Sequence, residues 1–177
     1  MKTFLIIFLI TPLTLSQWET GGSYKIKSDT PASGFGISIS RNLPFQGANL
    51  GIKVRAEVNL FRENAEVNFS GIREERKFLS EDYNLHIIGN YFLRYFTPYF
   101  GFGLGYGELY TSRQNWQGFV LSLLGGSKFQ VNEIINPYIE IQGYHYFADF
   151  ERRIWGRGMS IYQLRGAIGI NISIDTL

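Results

Sequence analysis

The sequence has no cysteine, only two histidines and only five prolines among its 177 residues. Without cysteine it has no disulfide framework, no thiolate metal site and no lipid-modified N-terminal cysteine. The formal net charge is +2, which gives little electrostatic basis for binding nucleic acid. We therefore expect stability to come from backbone hydrogen bonds and packing. We expect no nucleic-acid partner, no metal and no cofactor, because metal clusters and phosphate-binding loops are also missing from the sequence.

Long apolar runs are missing too, except at the N-terminus, where one extends from Phe4 to Ile10. This run follows Lys2, is too short to cross a bilayer as a helix, and leads to Pro12 and Ser16, a pattern typical of a secretory signal peptide. We predict a signal peptide over residues 1–16, export through the general secretory route, and a single domain over residues 17–177. Because no later segment is long and apolar enough for a membrane helix, any crossing has to be made by strands.

Glycine and aromatic residues are abundant, at 20 glycines and 16% aromatics, as expected for a protein of strands and turns. The clearest strand is 160–174, where apolar and polar residues alternate. A soluble strand usually has about five or six residues, whereas a tilted strand that crosses a bilayer needs roughly nine to eleven. One face of this strand carries Tyr162, Leu164, Ile168, Ile170, Ile172 and Ile174, and the other carries Gln163, Arg165, Ala167, Gly169, Asn171 and Ser173.

The same alternation predicts eight strands in all. They are a weak one after residue 17, then 34–42, 49–61, 80–95, 99–110, 118–131, 137–147 and 160–174. An even number returns both termini to one side of the membrane. The connections after the second, fourth and sixth strands are short (43–48, 96–98 and 132–136), and those after the third, fifth and seventh strands are longer. Short periplasmic turns and longer external loops are typical of outer-membrane barrels, so we expect both termini in the periplasm.

The two faces of each strand indicate how such a barrel is oriented. The polar face mixes glycine, serine and asparagine with charges, which suits a narrow lumen, and the apolar face suits lipid. Gly101, Gly103, Gly105 and Gly107 share one face of strand 99–110, and we expect bulky neighbours to lean into this row. Interfacial aromatic girdles are predicted from residues near strand ends: Tyr91, Tyr95, Tyr99, Trp116 and Trp155.

The run Pro98-Tyr99-Phe100-Gly101-Phe102-Gly103-Leu104-Gly105-Tyr106-Gly107, with the final alternating strand, resembles the small outer-membrane barrels of the OmpA/OmpX-like group of Gram-negative bacteria. The resemblance implies an all-β protein: an eight-stranded antiparallel up-and-down transmembrane β-barrel, preceded by a cleavable signal peptide. It implies location in the outer membrane, with outer-membrane lipid, lipopolysaccharide, the barrel-assembly machinery and an external protein or surface ligand as partners. In that family the last strand commonly ends in an aromatic residue that this machinery recognises, whereas this chain ends Ile174-Asp175-Thr176-Leu177.

Alternation also selects the charges expected in the lumen, seven positive and three negative: Lys25, Lys27, Lys53, Arg55, Glu57, Asp82, Arg94, Lys128, Glu140 and Arg165. Unpaired buried charges are costly, so these side chains should form networks. We predict a structural lumen network of Lys53, Arg55, Glu57, Glu140 and Arg165.

Candidate catalytic residues are scarce. His86 is predicted in the lumen and His145 towards lipid, and neither has a serine two positions later, as in the His-Xaa-Ser arrangement of outer-membrane lipid A deacylases. We therefore predict that the chain is not an enzyme. The longest predicted loop, 62–79, carries the candidate external contacts Arg73, Glu74, Glu75, Arg76 and Lys77.

These features together predict a non-enzymatic integral outer-membrane protein with a structural or surface-interaction role through its external loops. A narrow porin-like channel with a basic lumen is the alternative. A lipid-modifying outer-membrane enzyme is the third hypothesis.

Overall fold

The computed structural model describes residues 18–28, 32–46, 49–69, 72–110, 115–149 and 159–174. The predicted signal peptide over residues 1–16 lies outside these ranges, as does Trp155, and the side chain of Trp116 also lies outside the description. No helix long and apolar enough to cross a bilayer is found in the described part of the chain.

Eight strands form one closed antiparallel barrel in which each strand pairs with its neighbours in sequence. Closure comes from pairing of the first and last strands, from Trp18↔Ile174 to Lys27↔Arg165. This confirms the predicted all-β, eight-stranded up-and-down fold. The strands are β1 Trp18–Lys27, β2 Ser33–Gln46, β3 Leu50–Phe69, β4 Ile72–Tyr91, β5 Phe96–Tyr110, β6 Asn115–Phe129, β7 Ile135–Asp149 and β8 Met159–Ile174.

The wall of the barrel is apolar outside and polar inside. In β8, Ile168 is 68% exposed and Ile170 is 50% exposed, whereas Arg165 and Asn171 are 1% and 6% exposed. Because successive side chains of a strand point to opposite faces, this one-residue alternation sets the two environments of the whole wall. Apolar side chains outside and polar ones inside are the arrangement of transmembrane barrels, so the predicted orientation of the two faces is confirmed.

Most of the segment predicted as a loop, 62–79, is instead strand: residues 62–69 belong to β3 and residues 72–79 to β4. Antiparallel pairing of β3 with β4 continues without a break from Arg62↔Leu79 to Phe69↔Ile72. The other neighbours stop earlier, since β2 pairs with β3 only as far as Arg62 and β5 pairs with β4 only from Leu79. Among the described residues, 63–69 and 72–78 therefore pair only with one another, and they project beyond the closed wall. We call residues 63–78 the hairpin extension.

The predicted turn at 96–98 is also wrong. Phe96 and Pro98 belong to β5 and pair with Phe129 and Ser127 of β6. The chain turns before them, where the Leu93 amide donates a 3.2 Å hydrogen bond to the Phe96 carbonyl. Proline is tolerated here because β5 first pairs with β4 at the following residue, Tyr99, so Pro98 has a partner strand on one side only.

Candidate functional site: the ion-pair network of the barrel interior

Charged side chains from three strands meet inside the barrel near the end at which β1 begins and β8 ends. The Glu19 carboxylate accepts a 3.0 Å hydrogen bond from Lys53 Nζ and a 2.7 Å hydrogen bond from Lys128 Nζ. Glu19 and Lys53 are 3% and 4% exposed. Glu19 was missed in the sequence, although a signal was present: it lies on the same face of β1 as Lys25, at an even spacing along the strand.

A second cluster occupies the middle of the interior. The Arg55 guanidinium donates paired hydrogen bonds of 2.9 and 3.0 Å to the two carboxylate oxygens of Glu140, across the lumen from β3 to β7. Its Nη2 also lies 3.1 Å from Glu57 Oε2, and Glu57 forms a further ion pair with Lys25. All four side chains are buried, so each charge depends on its partners rather than on water.

Gln142 connects the members of this middle cluster. Its amide oxygen accepts 2.9 Å hydrogen bonds from Lys25 Nζ and from the Tyr144 hydroxyl. Its Nε2 donates to Glu140, and at 3.4 Å to Glu57. An amide offers both donors and acceptors, so Gln142 can link the cation to both carboxylates.

The third cluster lies towards the hairpin extension and is centred on Asp82. Arg165 Nη1 donates a 2.7 Å hydrogen bond to Asp82 Oδ2, and the Asn59 and Asn84 amides donate to Oδ1 at 2.7 and 2.6 Å. The guanidinium carbon of Arg165 lies 3.9 Å from the ring centroid of Tyr144. The same carbon lies 4.3 Å from the ring centroid of Phe61. Arg165 is thus held by a carboxylate and by aromatic rings, which fill the space around it.

The structure brings together three of the five residues predicted for one lumen network: Arg55, Glu57 and Glu140. Lys53 and Arg165 are placed in the neighbouring clusters, on Glu19 and Asp82. The predicted lumen position of Arg94 is wrong, because Arg94 is exposed and its guanidinium lies 5.2 Å from the Tyr95 ring centroid.

Tyr99, predicted for an interfacial girdle, points inward. A Cβ added to Gly126 would lie 2.7 Å from the Tyr99 hydroxyl, which places this ring over the inner face of β6. The girdle prediction overlooked the alternation of side chains along the strand. Phe100 and Phe102 of β5 are exposed on the outside, so Tyr99 has to face the lumen.

The glycine row of β5 is filled by neighbouring side chains, as expected. A Cβ on Gly101 would lie 2.9 Å from Ile88 Cγ1, and a Cβ on Gly107 would lie 2.5 Å from the Tyr146 ring. At Gly103 it would collide with the His86 ring and lie 2.6 Å from Ser122 Oγ. These contacts are closer than real Cβ atoms adopt, so only glycine leaves space for these neighbours.

His86, Ser122 and Glu57 are the residue types of a hydrolytic triad, and His86 lies between the other two. Ser122 Oγ is 3.0 Å from His86 Nε2, and His86 Nδ1 is 3.9 Å from Glu57 Oε2. All three side chains are at most 4% exposed, and the backbone of Gly103 closes over the serine and the imidazole. A nucleophile needs space for a substrate beside it, and on this inner side His86 and the backbone of Gly103 lie directly against the serine.

The predicted external contacts Arg73, Glu74, Glu75, Arg76 and Lys77 lie in the β4 half of the hairpin extension. Their backbone partners on β3 are Asn68, Val67, Glu66, Ala65 and Asn64. Their backbone therefore lies in one strand of a two-stranded ribbon beyond the last pairs that β3 makes with β2 and β4 makes with β5.

Metal sites are not indicated: no group of three or more histidine, cysteine, aspartate or glutamate side chains with suitable geometry occurs within the described ranges. No protein-family model and no curated protein sequence matches the chain.

Solved structures match it over nearly its whole length. Neisserial surface protein A is 12% identical, with 91% of this chain and 96% of that chain covered and a TM-score of 0.53. The outer membrane enzyme PagL is 10% identical, with 85% and 97% covered and a TM-score of 0.58. Ail of Yersinia pestis, solved with the heparin analogue sucrose octasulfate, is 12% identical, with 90% and 97% covered and a TM-score of 0.51. At these identities the likeness establishes the fold and no shared activity.

Proposed function

We propose that this chain, which has the fold of the small eight-stranded outer-membrane barrels, is a non-enzymatic and non-conducting outer-membrane protein of a Gram-negative bacterium that presents the hairpin extension to a surface partner. The observation that carries the proposal is the filled interior. Carboxylates, cations and amides from β1, β3, β4, β7 and β8 hydrogen-bond across the lumen, with Arg55–Glu140 joining opposite walls.

Size supports a filled interior over a channel. An eight-stranded barrel encloses only enough space for its own inward side chains. Here that space holds large buried groups, including Arg165, Tyr144 and Phe61, which are packed against one another. A conducting path would require breaking buried ion pairs, and this costs several kcal/mol for each pair.

Conductance in planar bilayers tests this part of the proposal. The purified barrel should give no resolved single-channel steps. A matched variant, Arg55→Ala combined with Glu140→Ala, removes the central cross-lumen pair and should give measurable steps if the pair is what blocks the lumen. Regular ohmic steps from the unmodified protein would overturn the non-conducting assignment and favour the channel hypothesis.

The hairpin extension supports the contact role. Each of its strands continues seven residues past the last wall pairing, which is about 24 Å at about 3.4 Å per residue. Residues 63–78 contain three basic and four acidic residues. Ail was solved with a sulfated sugar, a uniformly negative ligand. The mixed charge of this hairpin favours a protein surface of mixed charge over a uniformly charged polymer.

Replacement of residues 64–77 by Asn-Gly tests the contact role, because it joins Glu63 to its pairing partner Phe78 through a two-residue turn. Cells displaying the intact and the shortened protein would be compared for adhesion to immobilised collagen, as a mixed-charge protein surface, and to immobilised heparin. We expect adhesion to collagen to depend on residues 64–77. Equal adhesion of both forms to both surfaces would overturn the contact role and leave the barrel with a structural role only.

A further inference from the structure

The outer wall of β5 to β8 contains a groove of about 770 Å³. At its centre is Gly143, whose missing side chain leaves open space: a Cβ built there has nothing within 4 Å. Gly143 lies on β7, and its cross-strand partners are Leu123 on β6 and Leu164 on β8. Both leucines are exposed on the outer face, so they form the two sides of a depression one residue wide. The groove is lined mainly by apolar side chains: Phe102, Leu104, Leu121, Leu123, Tyr162 and Leu164.

The polar residues Ser28, Ser122, Gln163 and His145 also line the groove, and His145 is the one with an unpaired ring nitrogen among the described residues. His145 is two residues beyond Gly143 on the same face of β7. Its ring stacks on Phe147 and lies tilted against Tyr162, with 4.2 Å between ring centroids in both cases. Its Nε2 is buried and has no hydrogen-bond partner among the residues that the structure describes. A buried ring nitrogen without a partner is unfavourable, and an oxygen of a bound molecule would satisfy it.

The order of these features along β7 gives the occupant a direction. β7 starts near the end of the barrel at which β1 begins and β8 ends, with Ile135 paired to Ile172, and runs towards the end with the hairpin extension. His145 lies about 7 Å further along that direction than Gly143, at about 3.4 Å per residue. A molecule with an apolar chain at Gly143 and a polar oxygen at His145 therefore has its polar end on the side of the hairpin extension.

We propose that this groove, the Gly143 groove, binds one acyl chain of the lipid A part of lipopolysaccharide. The chain lies along Gly143 between Leu123 and Leu164, and a carbonyl or hydroxyl oxygen at its polar end hydrogen-bonds to His145 Nε2. With the termini in the periplasm, a polar end on the opposite side belongs to the outer leaflet, where the acyl chains are those of lipopolysaccharide. The inference adds a lipid site on the wall to the proposed contact role, and it does not depend on the hairpin extension.

The test fills the groove and compares it with a second outward glycine. Gly143→Leu places a side chain where the acyl chain would lie. Gly166→Leu is the matched control, since a Cβ at Gly166 also has nothing within 4 Å but Gly166 does not line the groove. Purified folded proteins would be titrated with lipid A and, separately, with saturated phosphatidylethanolamine, and bound lipid would be counted by native mass spectrometry. We expect Gly143→Leu to weaken lipid A binding at least tenfold and Gly166→Leu to leave it unchanged.

His145→Phe separates the hydrogen bond from the groove, because phenylalanine keeps the ring stack on Phe147 and Tyr162 and removes the nitrogen. We expect it to weaken lipid A binding three- to tenfold, the range for one hydrogen bond. Equal lipid A binding by the unmodified protein and Gly143→Leu would overturn the proposal, as would equal loss in Gly143→Leu and Gly166→Leu. Tighter binding of phosphatidylethanolamine than of lipid A would overturn the assignment to the outer leaflet. If Gly143→Leu does not fold, Gly143→Ala replaces it, with an expected loss of at least twofold.

Discussion

The inner and outer faces of the barrel wall are built on the same backbone, yet they depend on different things. On the outer face of β8, Ile168 and Ile170 need only an apolar surrounding, and any residue of similar polarity would serve. On the inner face, Arg165 needs one particular carboxylate, Asp82, at 2.7 Å. The residues of the outer face are therefore determined by the surrounding lipid, and those of the inner face by individual partner side chains. This difference predicts which substitutions are damaging and how a second substitution can compensate for them.

The largest expected effect comes from breaking one inner partnership. Glu140→Leu removes the carboxylate that accepts both hydrogen bonds from Arg55 and leaves the guanidinium buried. We expect the free energy of unfolding in lipid to fall by about 3 to 5 kcal/mol, the range for removing one member of a buried ion pair. Urea titration followed by heat-modifiability on gels measures it.

A double variant provides the control for this prediction. Arg55→Met combined with Glu140→Leu removes both charges and should restore part of the stability lost in Glu140→Leu, because no guanidinium is then left without its main partner. If the loss of unfolding free energy in the double variant equalled the sum of the losses in the two single variants, the two side chains would not be coupled. That result would contradict the observed paired hydrogen bonds.

Two adjacent residues of β8 give the next largest contrast. Ile170 is exposed on the outer face and Asn171 is buried on the inner face. Ile170→Lys should cost about 2 to 4 kcal/mol, as a basic residue does near the midplane of a bilayer. Asn171→Lys avoids lipid but is crowded, since a Cβ on Gly21 would already collide with the Asn171 amide. We expect its cost to be about 1 to 2 kcal/mol from overpacking.

Unfolding free energies of both variants in the same lipid decide this case. A larger cost for Asn171→Lys than for Ile170→Lys would contradict the assignment of the two faces. Equal costs would mean that crowding inside the barrel matters as much as lipid outside it.

A smaller effect is expected from two glycines on opposite faces. Gly103→Val forces a side chain into the space of His86 and Ser122, which should cost about 1 to 3 kcal/mol. Gly166→Val meets nothing within 4 Å, and we expect a change within about 0.5 kcal/mol. The comparison uses one substitution on one fold, so any difference reports the space available on each face. A destabilisation by Gly166→Val equal to that by Gly103→Val would contradict the open position of Gly166.

Strand number, closure and faces were predictable because each of them follows from alternation within single strands. Lys25, Glu57 and Glu140 were all assigned to the lumen in this way, and all three are buried there. Their pairing was not predictable in the same detail. Alternation tells which side chains point inward but not at what height, and height depends on the stagger between strands. Arg165 was therefore grouped with Glu57 and Glu140 although its partner is Asp82.

The remaining errors come from turns and from charge. Placing a turn at 96–98 instead of 92–95 put Arg94 into a strand. Tyr99 was assigned to the girdle because it lies near a strand end, although it has the same parity as Gly101. The charged run at 73–77 suggested a loop, but an antiparallel ladder is made by backbone groups and does not require apolar side chains. The dipeptide Ser70-Gly71, typical of a tight turn between two strands, was the signal that favoured a hairpin.

The smallest expected effect concerns the hairpin extension, which belongs to neither face of the closed wall. Replacing residues 64–77 by Asn-Gly removes only pairs that β3 and β4 make with each other, and leaves all pairing with β2 and β5 in place. The unfolding free energy of the barrel in lipid should change by no more than about 0.5 kcal/mol, since no partner of the wall is lost.

Extending the same replacement to residues 60–81 is the matched control: it also removes Phe61, which packs against Arg165, and we expect it to destabilise the barrel strongly. A large loss from the shorter replacement would show that the extension stabilises the wall, and its part in surface contact would then have to be tested by substitution of Arg73 to Lys77 rather than by removal.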